Sequence, residues 1–181
     1  MMSRIKWAAA ATAVIALGAT GCGTSGTETA PAAAPVSPRP QGTGPLTKEV
    51  VRTDLDASTA DAGIPANRPE YARGYEDAPA DSQRSCAVAF MGMHTETDPV
   101  DETHFKALIG ELRERDWQQP RQQENSYAND GALASAQVVL KQRGWTVVAR
   151  YQLASAGGGI TLTALDEACM KKHDADADPL A

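Results

Sequence analysis

Aromatic side chains are scarce in this chain: three Trp, four Tyr and two Phe make up 5% of its 181 residues. A core short of its largest side chains is thin, so a domain built on it gains more than usual from a covalent staple. Positive charge is also in deficit, with 17 Lys and Arg against 23 Asp and Glu and a net charge of −6. That balance, without any basic patch interleaved with aromatics, argues against nucleic acid and anionic lipid headgroups as partners. Three histidines, His94, His104 and His173, are all that is available for acid–base work near neutral pH, and none stands in a catalytic motif. There is no Gly-x-Ser-x-Gly elbow and no Cys-x-x-Cys, and Gly157, Gly158 and Gly159 are not followed by the Lys and Ser or Thr of a phosphate loop. Nothing here supports an enzyme, and no cofactor is expected.

Long apolar runs are missing too. Residues 7–19 form a stretch of about 13 apolar or small residues behind the positive Arg4 and Lys6, well short of the roughly 20 that a permanent helical span needs. That is the form of an export signal. It ends in Ala19, Thr20, Gly21 and Cys22, small residues followed by a cysteine. This ending resembles the lipobox of bacterial lipoproteins, with Ala19 standing where that family usually carries Leu. The resemblance implies a signal peptide over residues 1–21, a diacylglyceryl thioether on Cys22, and a mature chain held on the extracytoplasmic face of the cell membrane. Loss of Arg4 and Lys6 would take the net charge from −6 to −8.

Residues 22–46 are Gly, Thr, Ser, Ala and Pro with few charges, and cannot build a core. They read as a disordered linker with a coil span of roughly 25 Å and an extended reach of roughly 70 Å. Residues 47–173 are long enough for one domain, and 174–181 form a short acidic tail. With Cys22 lipidated, Cys86 and Cys169 are the remaining thiols, and an exported setting is oxidising enough for them to form a disulfide.

Within the domain, residues 47–62 predict a helix through Val50, Val51 and Leu55, closed by Gly63 and Pro65. Residues 67–83, rich in Pro, Gly and charge, read as a surface loop. The run from Cys86 through Phe90 to Met91 is nearly continuous in apolar residues and suits a central strand. A helix follows, with Asp98 as its cap, Pro99 in its first turn, and Phe105, Leu108, Ile109 and Leu112 recurring as one stripe. Residues 117–123 read as a poor edge strand, broken by Pro120, and 124–130 as polar loop. Trp145, Val147, Ala149, Tyr151 and Leu153 alternate with less apolar neighbours, and Arg143 and Gly144 turn that strand back on residues 137–141. Residues 130–143 also fit a helix capped by Asp130, so strand and helix both stay open there. Gly157, Gly158 and Gly159 read as a second turn into a last strand through Ile160, Leu162 and Ala164. The expected architecture is α+β, an antiparallel sheet of about four strands with helices on one face. If the first and last strands are antiparallel neighbours, Cys86 and Cys169 meet. The Gly144 and Trp145 hairpin with two cysteines is similar to small secreted lipoproteins of actinomycete bacteria, most of which have no defined activity.

One cluster could carry chemistry. Met91, Met93 and His94 offer soft ligands for Cu(I), and His94, Glu96, Asp98 and His104 offer imidazole and carboxylate for a divalent ion. The run from Cys169 and Met170 to His173 offers a second half to this cluster. Met91, however, lies about 16 Å along the strand from Cys86 at roughly 3.3 Å per residue, and a disulfide would keep Cys169 near Cys86, which separates the two. The same residues also read as an apolar strand end and a helix cap. The expectation is therefore a lipid-anchored, non-enzymatic binding or accessory module of the cell envelope, with an envelope protein or wall component as partner. A metal-binding lipoprotein using the region of Met91 and His94 is the alternative.

Overall fold

The structure, a computed structural model, describes residues 43–173. The expected signal peptide, the lipid attachment at Cys22, most of the linker and the acidic tail lie outside the described residues. The rest is α+β. Helix α1 (Lys48–Asp61) opens it, followed by α2 (Pro69–Glu76) and a 3-10 turn over Gln83–Cys86. Strand β1 (Ala87–Met93), helix α3 (Glu102–Glu114) and strands β2 (Glu124–Tyr127), β3 (Leu133–Gln142), β4 (Trp145–Ala154) and β5 (Gly157–Asp166) come next. A short helix α4 (Glu167–Lys172) ends it. The strands form one antiparallel sheet in the order β1, β5, β4, β3, β2, so the first and last long strands are neighbours.

Alternation sets the faces. Val88 and Phe90 of β1, Val138 and Leu140 of β3, Val147, Ala149 and Tyr151 of β4 and Ile160, Leu162 and Ala164 of β5 all point to one side. Val51 and Leu55 of α1 and the Phe105, Leu108, Ile109 and Leu112 stripe of α3 pack on that side and close the core. Trp117, fully buried, lies in the same core and donates its indole N–H to Asp54 of α1 at 3.2 Å. Thr47 caps α1, as its hydroxyl accepts from the Val50 amide. Glu102 pairs with Lys106 and Glu111 with Arg115 on the solvent side of α3, four residues apart.

Departures from the sequence reading have local causes. The cap of α3 is Asp101, not Asp98: its carboxylate accepts from the Thr103 and His104 amides, and the His104 ring closes a reciprocal box. Val100, 2% exposed, and Phe105 flank that cap and are both buried, the hydrophobic staple that fixes where the helix starts. Residues 133–142, left open between strand and helix, are strand, paired with β4 on one side and β2 on the other. Strand β2 comes from the segment read as polar loop, while 117–123 contribute a single bridge, Gln118 to Lys141. The three glycines do not make the second turn. They begin β5, and Ser155 and Ala156 make it instead. Lastly, β1 is an edge strand, and α2 forms within the segment read as loop and runs along that edge.

Arg143 and Gly144 both have positive φ, 43° and 85°, the twist that a two-residue hairpin turn requires. The chain enters the domain beside this turn. Leu46, 4% exposed, donates its amide to the Arg143 carbonyl and accepts from the Trp145 indole at 2.8 Å.

Candidate functional site

The edge of β1 is where the described residues form an apolar-floored cleft with a charged rim. Pro69 presets the first turn of α2, and Glu70 and Arg73 match its positive and negative ends. The helix buries none of its residues fully, so its position rests on side chains. Tyr71 and Tyr75 pack at 5.4 Å between ring centroids, and Arg84 lies 6.0 Å over the Tyr75 ring. Burial pushes the Tyr75 phenol up to about 12, with the Tyr71 hydrogen bond adding, so it stays a neutral group. Glu76 pairs with Arg52 of α1. Asn67, just before α2, accepts from the Met93 amide at 2.9 Å and donates to the Met93 carbonyl at 2.5 Å. Its side chain thus satisfies strand groups that an edge would leave open.

Between α1, α2 and β1 these contacts leave a hollow of about 180 Å³. Ala66, Pro69, Ala72, Ala89, Phe90 and Met91 form its apolar floor, and Arg52, Asp56, Arg68, Arg73 and Glu76 its rim. Three guanidiniums line it with two carboxylates; Arg52 is paired with Glu76, and Arg68 lies 3.8 Å from Glu70 just outside the lining. Burial raises the Asp56 carboxyl above its ordinary value; Arg52 opposes the shift and Glu76 adds to it. The described lining holds no serine, cysteine or histidine. A second hollow, over β2, β3 and β4, is more polar, and Arg150 donates to Gln137 within it.

The cleft escaped the sequence reading because its rim is scattered over residues 52–76. The available signal was Pro69 with Tyr71 and Tyr75 one helical turn apart.

The cluster singled out at residues 91–104 has structural partners. The His94 amide donates to the Gly158 carbonyl at 2.8 Å, and its ring Nδ1 accepts from the Val100 amide at 3.3 Å. A Cβ on Gly157 would collide with the His94 ring, and one on Gly158 with the Val100 carbonyl and the Tyr151 ring. The triple glycine is therefore the flat surface on which this segment lies. Asp98 accepts from the Thr97 and Thr95 hydroxyls in a local turn, and His104 is committed to the α3 cap. Gly63 packs against the His104 ring at 3.7 Å.

Cys86 and Cys169 form the expected disulfide, with Cα atoms 5.4 Å apart and 83 residues between them in sequence. The pairing of Ala87 with Leu165 brings the start of β1 to the end of β5. Asp166 then caps α4 by accepting from the Ala168 and Cys169 amides, which fixes Cys169 over Cys86. Among the described residues, the one group of three His, Cys, Asp or Glu donors lying within 4.8 Å of one another is Cys86, Cys169 and His173. His94, Glu96, Asp98 and His104 are not brought together in this way. No helix among the described residues is long and apolar enough to cross a membrane. No family model, curated protein or solved structure matches this chain.

Proposed function

We propose that the chain is a lipid-anchored extracytoplasmic lipoprotein whose single α+β domain binds a partner protein of the cell envelope without catalysing a reaction on it. The cleft along β1 is the observation that carries this reading. At about 180 Å³ it is smaller than the roughly 300 Å³ at which small-molecule pockets begin, so it suits one or two side chains of a protein partner. An apolar floor takes an aliphatic or aromatic anchor, and the rim guanidiniums offer paired donors to a carboxylate beside it. Residues 19–22 support the location, and the closed disulfide is consistent with an oxidising compartment.

The test is photo-crosslinking in intact cells, with the crosslinking residue at Arg73 on the cleft rim or at Lys141 on the far side of the sheet. A discrete protein adduct from position 73, absent from position 141 and lost when Arg52→Glu is combined with it, is the expected result. Equal adducts from both positions, or an adduct indifferent to Arg52→Glu, would remove the cleft from the function.

A further inference from the structure

We infer that the disulfide corner is a redox-gated metal site. With Cys86 and Cys169 oxidised it is shut; with both reduced, their two sulfurs and one ring nitrogen of His173 bind one thiophilic divalent cation of the Zn²⁺ class. The reading is independent of the cleft. Three observations carry it. The donor atoms of the three side chains already lie within 4.8 Å of one another. On one tetrahedral ion, with Zn–S near 2.3 Å and Zn–N near 2.0 Å, donors sit roughly 3.4 to 3.8 Å apart, so side-chain rotation alone suffices. Backbone supports on both sides do not depend on the S–S bond: Ala87 pairs with Leu165, and Asp166 caps the turn that carries Cys169. His173 stands four residues after Cys169, and its amide donates to the Met170 carbonyl at 3.1 Å, which closes α4 and keeps both donors on one side.

Charge selects the metal class. Cys86 is 2% exposed and Cys169 and His173 are partly exposed, so an ion there is partly withdrawn from water. Two thiolates and a neutral imidazole around a divalent cation leave no net charge to desolvate, whereas a monovalent cation would leave one negative charge. The chemistry balances with a dithiol as reductant. It transfers two electrons and two protons to the disulfide and is itself oxidised to a disulfide, and the cation then displaces both thiol protons. Cys169, partly exposed, is the sulfur open to attack.

The experiment uses the full chain carrying Cys22→Ser, so that the two thiols in question are the only ones. The protein is reduced, freed of reductant under anaerobic conditions, and titrated with Zn²⁺ against a chromophoric chelator, with Co²⁺ as a spectroscopic probe. One-to-one Zn²⁺ binding is expected in the reduced protein and none in the oxidised, with a thiolate-to-cobalt band that changes in His173→Ala and an affinity at least ten-fold weaker there. Binding indifferent to redox state or to His173→Ala overturns the proposal. If the reduced chain loses its circular dichroism, stoichiometric Zn²⁺ must restore it; failure to do so also overturns it. A parallel Cu(I) titration that binds tighter and ignores His173→Ala would replace this site by a two-sulfur one.

Discussion

Removing the disulfide tests how the thin core is held. The double substitution Cys86→Ala, Cys169→Ala deletes the cross-link and keeps a small apolar side chain at the buried position 86. The cross-linked residues are 83 apart, so the chain-entropy relation assigns the bond about 4.5 kcal/mol through the unfolded state. For a domain of this size each kcal/mol moves Tm by roughly 3 to 4 °C, so the variant should melt about 15 °C lower. The effect is expected in two parts. Globally, the denaturant m-value should rise, because an unfolded chain without the cross-link exposes more surface. Locally, α4 should fray first, since it buries Met170 alone and loses its covalent tie. The β1 and β5 pairing should survive, because it runs through seven register partners from Ala87 to Met93 that do not involve sulfur. Thermal melts by circular dichroism, urea titration, and hydrogen exchange at residues 167–173 give the three readouts. The parent measured under reducing, metal-free conditions should coincide with the variant. A midpoint within about 3 °C of the oxidised parent would refute the argument, because the entropy term could not then be acting.

The other expected outcomes are smaller or more local. Gly158→Ala places a methyl group against the Val100 carbonyl and the Tyr151 ring, and should cost about 1–3 kcal/mol by urea denaturation; no cost would mean that the glycines are a turn after all. Asp101→Ala removes the α3 cap and should cost about 1 kcal/mol at neutral pH. The Asp101 carboxyl is held below its ordinary value by the His104 side-chain and backbone hydrogen bonds, so its contribution is complete above that value and is lost as pH falls through the folded one. The parent and Asp101→Ala stability curves should therefore converge in acid, and parallel curves would rule this out. Cys22→Ser should leave the protein uncut or release it from membranes in a fractionation assay, and a variant processed and retained like the parent would end the lipid-anchor reading.

How much of this was legible in the sequence depended on whether a residue's signal was local or borrowed from its neighbours. The α3 stripe, the Arg143 and Gly144 turn and the cysteine pairing were readable because periodicity, turn chemistry and redox setting act over short range or by elimination. Strand β2 was not: all four of its residues are exposed, so no alternation marks it, and it exists through its ladder with β3. Helix α2 carries no fully buried stripe for the same reason, and is held in place by the ion pair of Glu76 with Arg52 of α1 and by Arg84 over the Tyr75 ring. The α3 cap lay between two aspartates three residues apart, and burial of Val100, a tertiary fact, chose between them. The cleft inherits this blindness, because Arg68, Arg73 and Glu76 of its rim stand on or beside the helix that the pattern could not reveal.

The two ends of the sheet differ in a way that would link the disulfide to the proposed anchor. Leu46, where the chain enters the domain, bonds to the Arg143 and Trp145 end of the β3 and β4 hairpin. Trp145 pairs with Asp166 in register, Glu167 donates its amide to the Gly144 carbonyl, and the Glu167 carboxylate accepts from the Thr146 hydroxyl at 2.8 Å and from Lys141 at 3.1 Å. Two residues after Glu167 is Cys169. The entry point, the hairpin turn, α4 and the disulfide thus share one end of the sheet, while the Met93 and His94 segment and the triple glycine lie at the other. On a chain tethered through its N-terminal side, any pull arrives at Leu46, at the end that the disulfide closes. Reducing Cys86 and Cys169 would loosen that end first, and a metal bound by Cys86, Cys169 and His173 would close it again without the covalent bond.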